Sequence, residues 1–208
     1  MTVAKGIPEH IFNRNFILNT YEETIFDLQR AHDLFTDSLK SRLYDIEHSK
    51  EFDDEEKRTQ SIPFVDELIK KEERAIRIRR GIFIAIYSAL EIFLSELCSF
   101  YDIKIPKKPN NSKNAFAHDY YNAIYNKNKW GKNETLKGLQ ELRNYMTHND
   151  LKKSRINSIK KLIKIKDDWN IKSNGTEFYF DDYKTILGVI DFFKHLLNEL
   201  EDYLQTKH

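Results

Sequence analysis

Leu142 to Asp150 reads LRNYMTHND. Arg143 stands beside polar Asn144, and His148 follows the arginine by five positions. These residue types suit acid–base work on an anionic group. An imidazole gives up or takes a proton near neutral pH. A guanidinium stays charged and presents a planar fork of donors to developing negative charge. Asn144 and His148 are four residues apart, which puts them on one helical face within hydrogen-bonding reach. Arg143 and His148 are not so aligned, being about 140° apart around an ideal helix. The bland alternative is a polar helix C-terminus, where Arg and His complement the helix dipole.

Two further features surround this stretch. Glu91 interrupts the apolar run YSALEIFLSEL. A carboxylate buried there needs a partner or a cleft, because an unpaired buried charge is costly. Arg143 is one candidate partner, and a solvent-facing Glu91 is the other reading. Tyr87 and Ser95 share its face one turn to either side. After the motif, Lys152, Lys153, Arg155, Lys160, Lys161, Lys164 and Lys166 run on with no acid until Asp167. Such a block can track a phosphate backbone or form a solvated helix face. Lys107, Lys108, Lys129 and Lys132 could extend it.

Other chemistries find little support. The seven His are scattered with no H-E-x-x-H, and the single Cys98 cannot seed a thiolate cluster, so no metal or other cofactor is expected. No Gly-rich phosphate loop or G-x-S-x-G elbow occurs. The pairs Asp53–Asp54, Asp167–Asp168 and Asp181–Asp182 look like loop or cap residues.

The elements that must position these groups follow from composition and period. With 208 residues, 40% of them hydrophobic, the chain can bury one core. Six Gly and four Pro are too few for a turn-rich β fold. Net charge is +1, so only local patches could favour a polyanion. Tyr21, Ile25, Leu28, Leu34, Phe35, Leu39, Leu43 and Ile46 set a helix over about 19–50, started near Thr20. The charged SKEFDDEEKRTQ reads as a turn. Pro63 then opens a long helix over about 64–101. A short helix over about 115–125 and a main helix from about Glu134 follow, the latter with Leu136, Leu139, Leu142 and Met146 inward. Asn174–Gly175 signals a β-hairpin near 165–180. Ile186, Val189, Ile190, Phe193, Leu196, Leu197 and Leu200 form the buried stripe of a last helix, capped by Asp181 or Asp182.

The expectation is an all-α bundle with a small β-hairpin before the last helix. It forms one domain over 1–208, with an N-terminal helical segment (1–60) and a core bundle (61–208). The apolar run GIFIAIYSALEIFL is short for a bilayer and carries Glu91, so it is read as a core helix. The first sixteen residues lack an apolar leader. No membrane association is expected, and the cytoplasm is the expected location.

The stretch from Arg143 to His148, with polar Asn144 after the arginine, resembles the R-x4-6-H motif of the HEPN superfamily. The resemblance spans about Phe64 to Leu204: a long apolar helix with Glu91, the motif helix, then a final amphipathic helix. Arg42 to His48 also fits the pattern, but Leu43 follows Arg42 and an acidic stretch follows His48. The resemblance implies a metal-independent endoribonuclease acting as a homodimer on RNA, often as a toxin with a cognate antitoxin or as an antiviral defence protein. On that reading His148 is the general acid/base, Arg143 clamps the phosphate and Asn144 orients the imidazole. Glu91 supports the site, Tyr145 stacks on a base, and Lys152, Lys153, Arg155, Lys160 and Lys161 hold the backbone. Pairing two motifs across a two-fold axis would relieve the helical-wheel mismatch. Some HEPN members are inactive, and the alternative is such a module, binding protein or nucleic acid without cutting.

Overall fold

The computed structural model describes residues 9–105, 115–125, 130–148, 152–175 and 177–207, with side chains described from 17 in the first helix and from 132 in the fourth. Helix α1 spans Glu9–Glu47 and helix α2 spans Asp54–Phe100. The charged stretch expected as a turn is only partly one. Asp53 accepts from the amides of Glu55 and Glu56 at 2.9 Å each, and Glu56 Oε2 accepts from the Asp53 amide at 3.0 Å. This reciprocal cap, with Asp54, Glu55 and Glu56 in the first turn, starts α2 ten residues earlier than its apolar pattern suggests. Pro63 therefore lies inside α2, not at its start. The helix tolerates the loss of one ladder bond there.

Helices α1 and α2 form an antiparallel hairpin. Lys71 Nζ donates to the His32 carbonyl and to Thr36 Oγ1, and His32 Nε2 lies 3.5 Å from Glu72. Ile25 and Leu39 are buried as their spacing requires. Leu34 and Phe35 are not: they remain 64% and 44% exposed. Periodicity assigned them to a face, and among the described residues the α2 side chains packed against this part of α1 leave that face largely uncovered.

The core lies at the other end of α2. Tyr87, Leu90, Leu94 and Leu97 pack there with helix α3 (Ala117–Tyr125), helix α4 (Trp130–His148), helix α5 (Lys153–Ile165) and helix α6 (Lys184–Lys207). Every residue of the two stripes expected in α4 and α6 is buried. Helix α4 begins at Trp130, earlier than expected, and α6 at Lys184, where Asp182 Oδ1 accepts from the Lys184 amide at 3.0 Å. Although α2 is long and apolar enough to cross a membrane, ten of its residues, from Ala75 to Cys98, are buried in this fold.

Strands β1 (Ile171–Ser173) and β2 (Phe178–Phe180) pair antiparallel, Ile171 opposite Phe180 and Ser173 opposite Phe178. Asn174 and Gly175 make the turn. Gly175 takes φ +91°, and Asn174 Oδ1 accepts from the Glu177 amide at 2.7 Å. Arg79 fastens this hairpin to α2. It is 2% exposed and donates to the carbonyls of Phe180 (2.8 Å) and Asp181, while Nη2 lies 2.5 Å from Glu72. The bundle is thus all-α apart from this hairpin before the last helix.

Cys98 is buried near the end of α2, and burial pushes its thiol up to about 11. Only the thiolate reacts. Native protein at pH 7.5 should therefore resist a disulfide-exchange reagent and take up one equivalent only after unfolding; rapid native labelling would contradict the packing.

Candidate functional site

Helix α4 ends at His148, so the motif occupies its last two turns. Leu142 and Met146 point into the core. Arg143 and Asn144 are half-buried, and Thr147 and His148 are exposed. Arg143 Nη1 donates to Asn144 Oδ1 at 3.2 Å, and Thr147 Oγ1 donates to the Arg143 carbonyl at 2.9 Å. Asn144 therefore holds the guanidinium and, among the described residues, makes no hydrogen bond to His148. The orienting partner expected for the imidazole serves the arginine. Arg143 Nε is buried without a hydrogen-bond partner among the described residues.

Tyr145 corrects the expectation of a base-stacking residue. It is 3% exposed, packs edge-on against Phe178 with ring centres 5.6 Å apart, and receives the Phe178 amide on its hydroxyl at 3.4 Å. No base can reach it. Its place one turn after Leu142 puts it beside the core stripe.

A polar seam runs where α2, α3 and α4 meet. Tyr87 is fully buried on α2, and its hydroxyl lacks a hydrogen-bond partner among the described residues. Burial pushes its phenol well above the usual range. The Glu91 carboxylate adds to that push, the Arg143 guanidinium opposes it, and Asp119 and Glu141 act more weakly in the same direction as Glu91. Glu91, half-buried one turn along α2, and Arg143 therefore act on the same hydroxyl from different helices. Asn122 on α3 donates to Asn133 on α4 at 3.5 Å, and Asn133 and Gln140 are buried along the same helix as Arg143.

Sequence reasoning did not single out His118. His118, at the start of α3, has a side chain 17% exposed with Nε2 3.3 Å from Asp119 Oδ1. Asp119 Oδ2 in turn accepts the Phe116 amide at 2.8 Å. A carboxylate three residues after Phe116, reaching back to its amide, is a helix-start pattern legible in the sequence AFAHDYY.

The basic block forms α5. Ile159 and Leu162 are its inward side, while Lys152, just before it, and Lys153, Lys160, Lys161 and Lys164 are exposed. Arg155 differs from them: its Nε lies 2.8 Å from Glu141 Oε2, so it ties α5 to the motif helix. Lys166 lies over the Trp169 and Phe192 rings, and Lys132 pairs with Glu199. Lys107, Lys108 and Lys129 lie outside the described residues. Close approach sets the α4–α5 spacing, since a Cβ added at Gly138 would sit 2.6 Å from Leu162 Cβ. Gly138→Ala should therefore destabilise the fold by about 1–3 kcal/mol through overpacking. Urea denaturation measures this, and an unchanged midpoint would mean the two helices separate at little cost.

Where α2, α3 and α4 meet, the charges of Glu91, Arg143 and Asp119 all act on the Tyr87 hydroxyl, and Asn144 holds Arg143. His148 stands at the exposed helix end, with the α5 lysines on the element that follows. Comparison with protein-family models, with curated proteins and with solved structures finds no match to this chain.

Proposed function

We propose that this chain is a metal-independent endoribonuclease of the HEPN type, acting as a homodimer, and a toxin or phage-defence effector in the cytoplasm. The supporting observation is Arg143. Its guanidinium is half-buried and steadied by Asn144, with a buried Nε–H unmatched among the described residues. It shares a helix end with His148 and precedes the exposed lysines of α5. A phosphate clamp needs a cation fixed in advance and not consumed by a carboxylate.

In this reaction the 2′-oxygen attacks phosphorus and the P–O5′ bond breaks. One imidazole accepts the 2′ proton, another gives a proton to the 5′ oxygen, and Arg143 bears the charge on the phosphorane oxygens. His148 serves as acid or base, and Lys152, Lys153, Lys160 and Lys161 attract the backbone. A cognate antitoxin would act by covering this end of α4.

The test is incubation of the purified protein with RNA, with and without a chelator, followed by end analysis. The expected ends are 2′,3′-cyclic phosphate and 5′-hydroxyl, formed equally in both arms. Intact RNA throughout would reject the reading. The second reading is a module that binds without cutting. His148 favours it, being exposed and without a hydrogen bond from Asn144. Under that reading RNA or a protein partner is retained uncut, and His148→Ala changes nothing.

A further inference from the structure

Helix α2 carries one seam along most of its length, and among the described residues its own chain covers only part of it. Ile62, Val65, Ile69, Ile76, Phe83 and Leu90 recur at steps of three, four or seven, the spacing of a single helical face. Toward the end of α2 this face is core: Arg79, Phe83, Ile86 and Leu90 are at most 2% exposed. Toward its start the same face is bare, with Ile62 52%, Val65 43% and Ile69 56% exposed. α1 meets this stretch on another side, through Lys71 and through Arg42 over the Phe64 ring.

The charges on the bare part of the seam select what covers it. Arg58 lies one turn before Ile62 and Glu72 follows Ile69, each seven positions from Val65. Seven residues make almost two full helical turns, so both stand on the Val65 face. The seam is thus basic at one end, acidic at the other and apolar between. A second copy laid antiparallel about Val65 sets Ile62 across from Ile69, and Arg58 across from Glu72 at both ends. A parallel copy would set like charges together. Both charges are open to such a contact. Glu72 keeps 46% of its side chain exposed beside Arg79, and Arg58 is exposed with no ion pair among the described residues. A two-fold contact requires this self-complementarity, in which residue i meets j and j meets i.

We propose that the bare seam of α2 is a docking surface whose occupant is the same seam of a second copy of this chain, running antiparallel. The proposal does not rest on the ribonuclease reading. Tyr87 stands roughly 33 Å along α2 from Val65, so the pairing carries the two cores, with their Arg143 helices, to opposite ends. It is a contact separate from any pairing of two Arg143 motifs. With one seam from each copy the interface is small, and its dissociation constant is roughly 1–100 μM.

The experiment is sedimentation velocity on full-length wild type, Val65→Lys and Arg58→Glu, from about 1 to 300 μM, joined to thiol cross-linking. Wild type should pass to a species of doubled mass across this range. Val65→Lys puts two ammonium groups on the two-fold axis and should weaken the association at least about tenfold. Arg58→Glu sets two acids together at each end and should weaken it about three- to tenfold. Both positions are exposed, so thermal melting should stay within about 2 °C of wild type. Under mild oxidation Val65→Cys should join to itself. Arg58→Cys should join to Glu72→Cys in a mixture of the two, and neither should join to itself, since two Arg58 positions lie roughly 21 Å apart in the antiparallel pair. Wild type that sediments as a monomer at every concentration overturns the proposal. An assembly that neither Val65→Lys nor Arg58→Glu weakens overturns it too, because the contact then uses another face. Arg58→Cys joined to itself would mean a parallel pair and overturns it as well.

Discussion

Arg79→Met is expected to lower the unfolding free energy by about 2–4 kcal/mol. The guanidinium lies inside the fold at 2% exposure and is the donor for the Phe180 carbonyl, on a strand residue that is itself 1% exposed. Methionine fills most of the space of the arginine stem, so the cost is chiefly electrostatic. The Phe180 carbonyl loses its donor in a site water does not reach, which alone costs about 1–3 kcal/mol. Asp181 is exposed, so its carbonyl can turn to solvent and adds less. Release from burying a charge offsets part of the loss. In a chain of this size the net effect lowers Tm by roughly 5–15 °C. Arg79→Lys should fall between, since one ammonium cannot span the same acceptors. Glu72→Gln should cost little, because Glu72 is 46% exposed and water screens it. Urea melts on the three variants check the order. Arg79→Met at wild-type stability would mean that the β-hairpin is held by its apolar side alone.

Arg79 also marks what a sequence can and cannot disclose. It sits in EERAIRIRR, where nothing local separates it from its charged neighbours. Its acceptors lie 101 and 102 positions away, so its role exists only after folding. The stripes of α4 and α6 were legible because one helical face meets one core and the 3.6 period records that. Leu34 and Phe35 obey the same period and are exposed, since period reports a face and not whether anything covers it. The start of α2 carries no apolar stripe, but its cap grammar, Asp53 followed three residues later by Glu56, was there to be read. Within the site the same contrast holds. The motif showed Arg143, Asn144 and His148, and Glu91 stood out as a charge in an apolar run. The pairing of Asn144 with Arg143 depends on rotamers that spacing leaves open. Tyr145 was drawn to the site by its place in the motif, although its helical phase puts it beside the core.

The largest functional effect should fall on Arg143, and its sign on stability separates catalysis from architecture. Under the ribonuclease reading Arg143→Ala lowers RNA cleavage by about 100- to 1,000-fold, the usual cost of one preorganised donor to transition-state charge. Arg143→Lys keeps the charge but loses the planar fork, and should recover only part of the rate. Stability should move the other way. A buried Nε–H without a partner among the described residues costs about 1–3 kcal/mol, and Arg143 is half-buried on a helix whose Leu142 and Met146 are buried. Arg143→Met removes the orphan donor and keeps the stem volume, so its Tm should equal or exceed that of the wild type while cleavage is lost. Functional groups are commonly held at such a cost. If Arg143 were instead a structural cap of α4, Arg143→Met would lower Tm by several degrees and cleavage would fall only with the folded fraction. Rate and melting temperature measured on the same preparations distinguish the two, because only a group kept for its chemistry loses activity as the fold gains stability.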